Sequence, residues 1–366
     1  MIPEAMQHIA GRIPVTDGSS LPTPVVAGPL SVAPPRRPGS VRRTSSLDVT
    51  WPDGQGTAMR MLGRCRDLAT FADGRYNELA YDAVKLDVDA DRTIRSIEAT
   101  PHREGVDKLV GARGGGGMRL ALDQALPTDR SGHTPLALLL DDVAGASLVG
   151  GFAWSRHSGD WMRGSARSDG APLRRAARTM VGICSGFRPG ASSLNPDGTN
   201  IGDGHAVMQV PPLADPEDPV GWHRMDPLPS VGLRRARRMD LWRDGDRYLV
   251  DAHFRDACSD PQLYQVAVHE YSLSVAIDAG SLKVTSLEAI PRVLPYAECP
   301  AASNNVGRME GQRLADLQSS VLAILRGVDC CTHLNDCLRA LADIAALIPA
   351  ADAAGQSRYR PDGPHR

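Results

Sequence analysis

The sequence predicts an α+β protein made of two tandem related domains, each an antiparallel strand meander followed by two or more helices. The first observation behind this is that Tyr81 to Pro101 matches Tyr271 to Pro291 without a gap, both stretches closing on Ser-x-Glu-Ala-x-Pro. In the same order, Arg66-Asp67 falls opposite Arg255-Asp256. The lead-in from Arg42-Arg43 to Trp51 falls opposite Arg237-Arg238 to Trp242. Gly132-His133-Thr134-Pro135-Leu136 falls opposite Cys330-Cys331-Thr332-His333-Leu334. The second observation is the alternation of Leu273, Val275 and Ile277, the period of a strand with one buried face. The third is helical spacing after the strands, in Leu314, Leu317, Val321, Ile324 and again in Leu334, Leu338, Leu341, Ala345. Two copies are too few for a solenoid, so the expectation is two domains packed together.

Residues 1–40 are rich in Pro, Gly, Ser and Val and end in Pro34-Pro35-Arg36-Arg37-Pro38-Gly39, the composition of a disordered or loosely docked arm. The first repeat spans 41–150 and the second 233–350. In the second, Asp240 to Arg243 and Tyr248 to Phe254 flank Asp244-Gly245-Asp246, a hairpin turn. A further strand pair, Val266 to Ile277 and Leu282 to Ile290, turns at Asp278-Ala279-Gly280-Ser281. Between the repeats, 151–232 is a Gly- and Pro-rich connector, and connectors of such length are unusual unless functional. It is expected to cover a pocket at the domain interface. Residues 351–366 are polar and read as a tail.

At 366 residues the chain has room for two domains of ordinary size, each with its own core. Its formal net charge of −2, with mixed signs throughout, supplies no general attraction to nucleic acid or to an anionic membrane. The basic runs Arg174-Arg175 and Arg234-Arg235-Ala236-Arg237-Arg238 read as a solvated face or flexible lead-in, because no aromatic stacking partners are interleaved. No window approaches the roughly 20 apolar residues that span a bilayer. The N-terminus has no basic start leading into an apolar signal segment. A cytoplasmic protein is expected. Seven cysteines, an odd number, fit a reduced compartment better than a disulfide framework.

Metal ligation or burial is then the question for each thiol. Pro300 suits the first position of a helix, which places Cys299 at a helix N-cap. Cys331 and His333 are two apart and do not share a helix face, so they belong to the turn entering the last helix. Helix N-termini favour thiolate over thiol, and thiolate is the form that binds metal. With His269 near the start of a strand, the metal set is His269, Cys299, Cys331 and His333, donors suited to zinc, iron or an iron–sulfur cluster. Burial as small apolar side chains is the alternative for the thiols. Asp256 is a candidate for orienting a histidine, and Asp336 for general acid or base work beside a metal-bound water. Cys330 reads as an extra thiol, Cys337 as core and Cys184 as a small loop residue. Gly114-Gly115-Gly116-Gly117 lacks a following Gly-Lys-Ser/Thr and reads as a connection rather than a phosphate loop.

His269-Glu270-Tyr271, Cys299-Pro300 and Cys331-Thr332-His333-Leu334-Asn335-Asp336 together resemble a bacterial domain-of-unknown-function family, family 2889, whose members share a His, a Cys-Pro and a Cys-Thr-His-Leu in that order. The resemblance covers the second repeat. The first departs from it, with His102 near the place of Cys299, His133 opposite Cys331 and Pro135 opposite His333. A more distant similarity is to iron–sulfur scaffold proteins of the IscU/NifU type. That likeness implies a strand meander, a cysteine before a helix and a His-Cys pair before the last helix. Here the pair is Cys-Thr-His and the first ligand is His269, which fits the fold implied better than cluster assembly.

The function expected is a metal-dependent enzyme of lyase, isomerase or hydrolase type, acting on a small apolar molecule between the repeats through a zinc or iron centre in the second. No nucleotide cofactor is indicated. A zinc or iron–sulfur carrier is the alternative, and a binding module without metal the third. Two copies in one chain mimic a dimer.

Overall fold

A computed structural model describes residues 23–158, 179–201 and 207–356. Strands β1 (Ser40–Thr50), β2 (Met59–Thr70), β3 (Tyr76–Val88) and β4 (Ile94–Thr100) form one meander. After the two-residue strand β5 (Met208–Gln209), β6 (Gly232–Asp244), β7 (Arg247–Ser259), β8 (Gln265–Asp278) and β9 (Val284–Val293) form the other. The hairpin at Gly245-Asp246 is as expected, with Asp244 opposite Arg247 and Gly245 at φ +63°, where only glycine is unstrained.

The meanders are joined edge to edge. β1 pairs with β6 antiparallel from Ser40 opposite Trp242 to Thr50 opposite Gly232, giving one sheet of nine strands in the order β4-β3-β2-β1-β6-β7-β8, with β5 and β9 both on the far side of β8. Helices α1 (Met118–Ala125), α2 (Pro127–Ser131), α3 (Pro135–Val149), α4 (Phe152–Ser158), α5 (Leu317–Ile324), α6 (Thr332–Ala340) and α7 (Ile344–Gln356) complete the described elements with short 3-10 turns. One apolar cluster draws Leu47 from β1, Leu241 from β6, Leu139 and Val143 from α3, Leu334 and Leu338 from α6, and Leu347 from α7. Each such side chain contributes about 1.5–3 kcal/mol on burial. In place of two domains with a core each, the halves share a sheet and a core, because pairing β1 with β6 removes two exposed edges.

The opposite face is covered by chain expected to be loose. Ala33, Leu213 and Trp222 pack around Ala236 of β6. The arm is docked from residue 23 onward: Ala27 N–H donates to Pro291 O at 2.8 Å, and Leu30 N–H to Glu270 Oε1 at 2.7 Å. The expected tail starts inside α7, whose Ala351 and Ala354 are buried. Residues 1–22 of the arm, 357–366 of the tail and Arg174-Arg175 lie outside the described residues.

The basic run of the second half is neither a solvated face nor a lead-in. Arg234, Arg235, Arg237 and Arg238 are all buried in β6. Each meets a carboxylate: Asp48 at 2.6 Å, Asp256 at 2.9 Å and Asp142 at 2.6 Å for the first three, and Asp240 with Asp251 for Arg238. Across the β1–β6 seam, Arg42 sits opposite Asp240 and bonds it, while Arg234 sits opposite Asp48 and bonds it. Arg42-Arg43 therefore corresponds to Arg234-Arg235, not to Arg237-Arg238.

Candidate metal centre

The pleat and one bulge place the first side chains of the site. On β7 and β8, Asp256 pairs with His269, and the register shifts immediately after, so that Ala257 pairs with Ala267. Alternation then puts Phe254, Asp256, His269, Tyr271 and Leu273 on the face that packs against the helices. Cys331 is the N-cap residue of α6, with extended backbone at φ −121° and ψ 127°, and its side chain makes no capping bond. The start of α6 thereby lowers Cys331 and His333 onto the strand residues.

The side chains meet closely. Ligand atoms of Asp256, His269 and His333 all lie within 4.8 Å of one another. The two imidazoles stack with centroids 3.5 Å apart and planes 19° from parallel. His269 Nδ1 is 3.3 Å from Asp256 Oδ2, and Cys331 Sγ is 3.9 Å from His333 Nδ1. His333 Nε2 is buried with no hydrogen-bond partner among the described residues. Buried polar atoms left without partners cost about 1–3 kcal/mol each, so a native fold keeps them for a reason.

Charge at the site is fixed by burial and by Arg235. Asp256 gives Oδ1 to Arg235 Nε at 2.9 Å and Oδ2 to Arg235 Nη2 at 3.0 Å. Burial works against its charge, but Arg235 and then His269 hold the carboxyl well below the usual carboxylate range. Burial lowers His269 against the pull of Asp256, and burial with the neighbouring His269 drives His333 far below the ordinary histidine value. Both rings are therefore neutral imidazoles, the protonation state that binds a metal. Both thiols are raised instead of lowered. Burial outweighs the Tyr271 hydroxyl and the amides at the start of α6 for Cys331, and burial followed by Cys331 and Cys184 raises Cys299. Burial works against the thiolates expected at helix ends, because dehydration of the anion costs more than a helix terminus returns.

Of the four ligands expected, His269 and His333 come together, Cys331 stands beside them, and Cys299 is outside the cluster. Cys299 is the first residue of a 3-10 helix, Cys299–Met309, whose N-cap is Glu298. Its sulfur packs on the connector, 2.6 Å from where a Cβ on Gly186 would stand, which only glycine permits. The connector is pinned there by Ser185 N–H to Cys330 O at 2.7 Å and Ser185 Oγ to Glu298 O at 2.8 Å. Asp336, the candidate acid or base, is partly exposed and held in ion pairs. It bonds Arg119 and Arg235, each at 3.1 Å, and burial raises its carboxyl against Arg235 and Arg237. Cys337 is core as expected. Tyr271 and Arg235 carried no recognisable signal, since a strand tyrosine and a basic run have commoner meanings; the buried phase of Tyr271 with Leu273 and Val275 was the available clue. A cavity of about 10 Å³, room for about one water, is lined by Arg237, Phe254, Leu273 and Cys337 and by none of the clustered side chains.

Fold and site define a sheet protein with a single Asp/His/His cluster among its described residues, its Asp256 and His269 buried and His333 half-buried. The family model described as a protein of unknown function, DUF2889, matches residues 233–347, from β6 into α7. The resemblance to a domain-of-unknown-function family holds over that span. No curated protein and no solved structure matches the chain. Among the described residues, no helix is long and apolar enough to cross a membrane.

Proposed function

We propose that this protein is a metal-dependent enzyme of lyase, isomerase or hydrolase type, using one zinc or iron ion held by His269 and His333 beside Asp256. The convergence of those three side chains carries the reading. It is supported by the neutral state of both imidazoles and by an anion in the same cluster that stays charged. A metal bound there would act as a Lewis acid toward a small molecule approaching past the connector. The duplicated meander would serve as the scaffold that fixes Arg235 and through it Asp256. Metal analysis of protein purified without a histidine tag tests this. About one equivalent of zinc or iron, lost in the His269→Ala, His333→Ala double variant, is expected; folded protein free of metal overturns it.

A zinc or iron–sulfur carrier is the second reading. It is supported by the thiol beside the histidines, Cys331 Sγ at 3.9 Å from His333 Nδ1. A visible band from sulfide-to-iron charge transfer in freshly purified protein would decide for the carrier.

A further inference from the structure

We propose that the sheet face remote from the Asp/His/His cluster is a binding surface for extended, proline-rich, arginine-bearing chain, that residues 27–37 of the arm are its resident occupant, and that a partner protein presenting such a segment binds there by displacing them. The metal reading above is neither used nor needed.

The composition of the arm sets the chemistry. Between residues 23 and 39 stand Pro24, Pro29, Pro34, Pro35 and Pro38, and no helix or strand. Each proline lacks an N–H, so the segment carries more carbonyl acceptors than amide donors, and an extended backbone leaves those carbonyls unpaired. The surface answers with buried guanidiniums. Arg255 Nη2 donates to Leu30 O at 3.2 Å, and Arg42 Nη2 to Pro34 O at 2.8 Å. Glu270 Oε1 accepts the Leu30 N–H at 2.7 Å. Further along, Arg36 gives Nε to Asp218 at 2.8 Å and lies 4.7 Å over the Tyr76 ring, while Arg37 lies 4.8 Å over Trp242. Carbonyls bonded along the main chain, with cations paired and stacked on aromatic faces, are the contacts by which proline-rich ligands are recognised.

Two observations separate a bound ligand from a fixed part of the fold. The groups that read the arm are held by other partners: Arg42 by Asp240 at 2.5 and 3.0 Å, and Arg255 by Glu270 at 2.9 Å and Pro211 O at 2.8 Å. The surface is therefore preorganised, and removing the arm leaves Arg42, Arg255 and Glu270 paired. The arm also gives little to the core, since between residues 23 and 39 Ala33 alone is buried. Segments with few buried apolar side chains open at far lower cost than the whole fold. A tethered arm, at an effective concentration of about millimolar, holds the surface until a competitor binds more tightly or the arm is weakened.

The probe is a dye-labelled peptide of residues 23–38, followed by fluorescence anisotropy against full-length protein. The full-length Leu30→Pro, Arg36→Ala variant loses the amide for Glu270 and the cation for Asp218 while keeping the surface. It is expected to bind the peptide roughly tenfold or more tightly than wild type, whose own arm is in place. Adding Asp218→Ala to that variant, or placing Arg36→Ala in the peptide, should each weaken binding about tenfold, and a scrambled peptide should not bind. In the wild-type chain, excess peptide carrying a heavy-isotope label should speed hydrogen exchange at Ala27 and Leu30, whose amides donate to Pro291 O and Glu270, as read by mass spectrometry. That measurement needs no variant to fold. Equal binding to wild type and variant, no binding to the folded variant, binding unmoved by Asp218→Ala, a scrambled peptide that binds as well, or exchange unmoved by excess peptide overturns the proposal. Concentration-dependent dimers of the wild-type chain with arms exchanged would put a second copy in the partner's place and overturn the partner.

Discussion

The two meanders carry the same charged joint and differ in what stands on it. In the first, Arg43 grips Asp67 through Nε at 2.6 Å and Nη2 at 2.7 Å; in the second, Arg235 grips Asp256 through the same atoms at 2.9 and 3.0 Å. Each arginine sends Nη1 to a helix carboxylate of the other half, Asp343 and Asp142 respectively, at 3.4 Å in both cases. Opposite Asp67 lies Ala80, whereas opposite Asp256 lies His269. Opposite Cys65 lies Asp82, which accepts Leu136 N–H near the start of α3, while the matching position on β8 is Tyr271. The joint is thus architecture common to both halves, and the second half has replaced an alanine and a helix-binding carboxylate with an imidazole and a phenol.

That comparison can be broken at its common part. Asp67→Ala and Asp256→Ala should each destabilise by about 3–5 kcal/mol in urea unfolding, since either strands a buried arginine. Only Asp256→Ala should also weaken metal binding; equal loss from Asp67→Ala would mean that both halves build the site. Gly145→Ala should destabilise by about 1–3 kcal/mol despite alanine's better helix propensity, because a Cβ there would stand 1.8 Å from Arg235 Nη1, which has nowhere to retreat. A Tm at or above wild type would show that the joint is softer than its burial suggests.

A connector residue docked on β1 of the first meander sharpens the comparison through pH. His223 accepts or donates to Ser46 Oγ at 2.8 Å and Thr44 Oγ1 at 2.9 Å, and burial, with Arg66 and Arg234 nearby, pushes it down to about 3. The unfolded chain takes up the proton near pH 6.5 while the folded protein does not. The stability His223 supplies is therefore complete above about 6.5 and is lost as pH falls toward about 3, by up to roughly 1.4 kcal/mol per unit. His223→Gln should flatten that slope in denaturant titrations at pH 4–6.

Much of this was legible in the chain. Hairpins, helices and their order followed from local periodicity and turn chemistry, as in Asp244-Gly245-Asp246 and Leu273-Val275-Ile277. The match was right for β4 and β9, where Thr100 pairs with Ala83 and the matching Ile290 pairs with Ser272, but it slipped by one on β3 and β8. A slip of one reverses every side chain, and Tyr81 is accordingly exposed while Tyr271 is buried. His269, Cys331 and His333 were found because their donor chemistry is distinctive at any spacing.

What the sequence by itself determined is the set of elements and the candidate donors, because both depend on neighbours a few residues away. Tertiary structure alone decided that β1 joins β6 and that buried arginines face carboxylates from distant strands and helices. It also decided that Cys299 leaves the cluster for Gly186. Those outcomes turn on which side chains share a face across contacts far apart in the chain, and on whether burial leaves a charge with a partner, which no local pattern encodes.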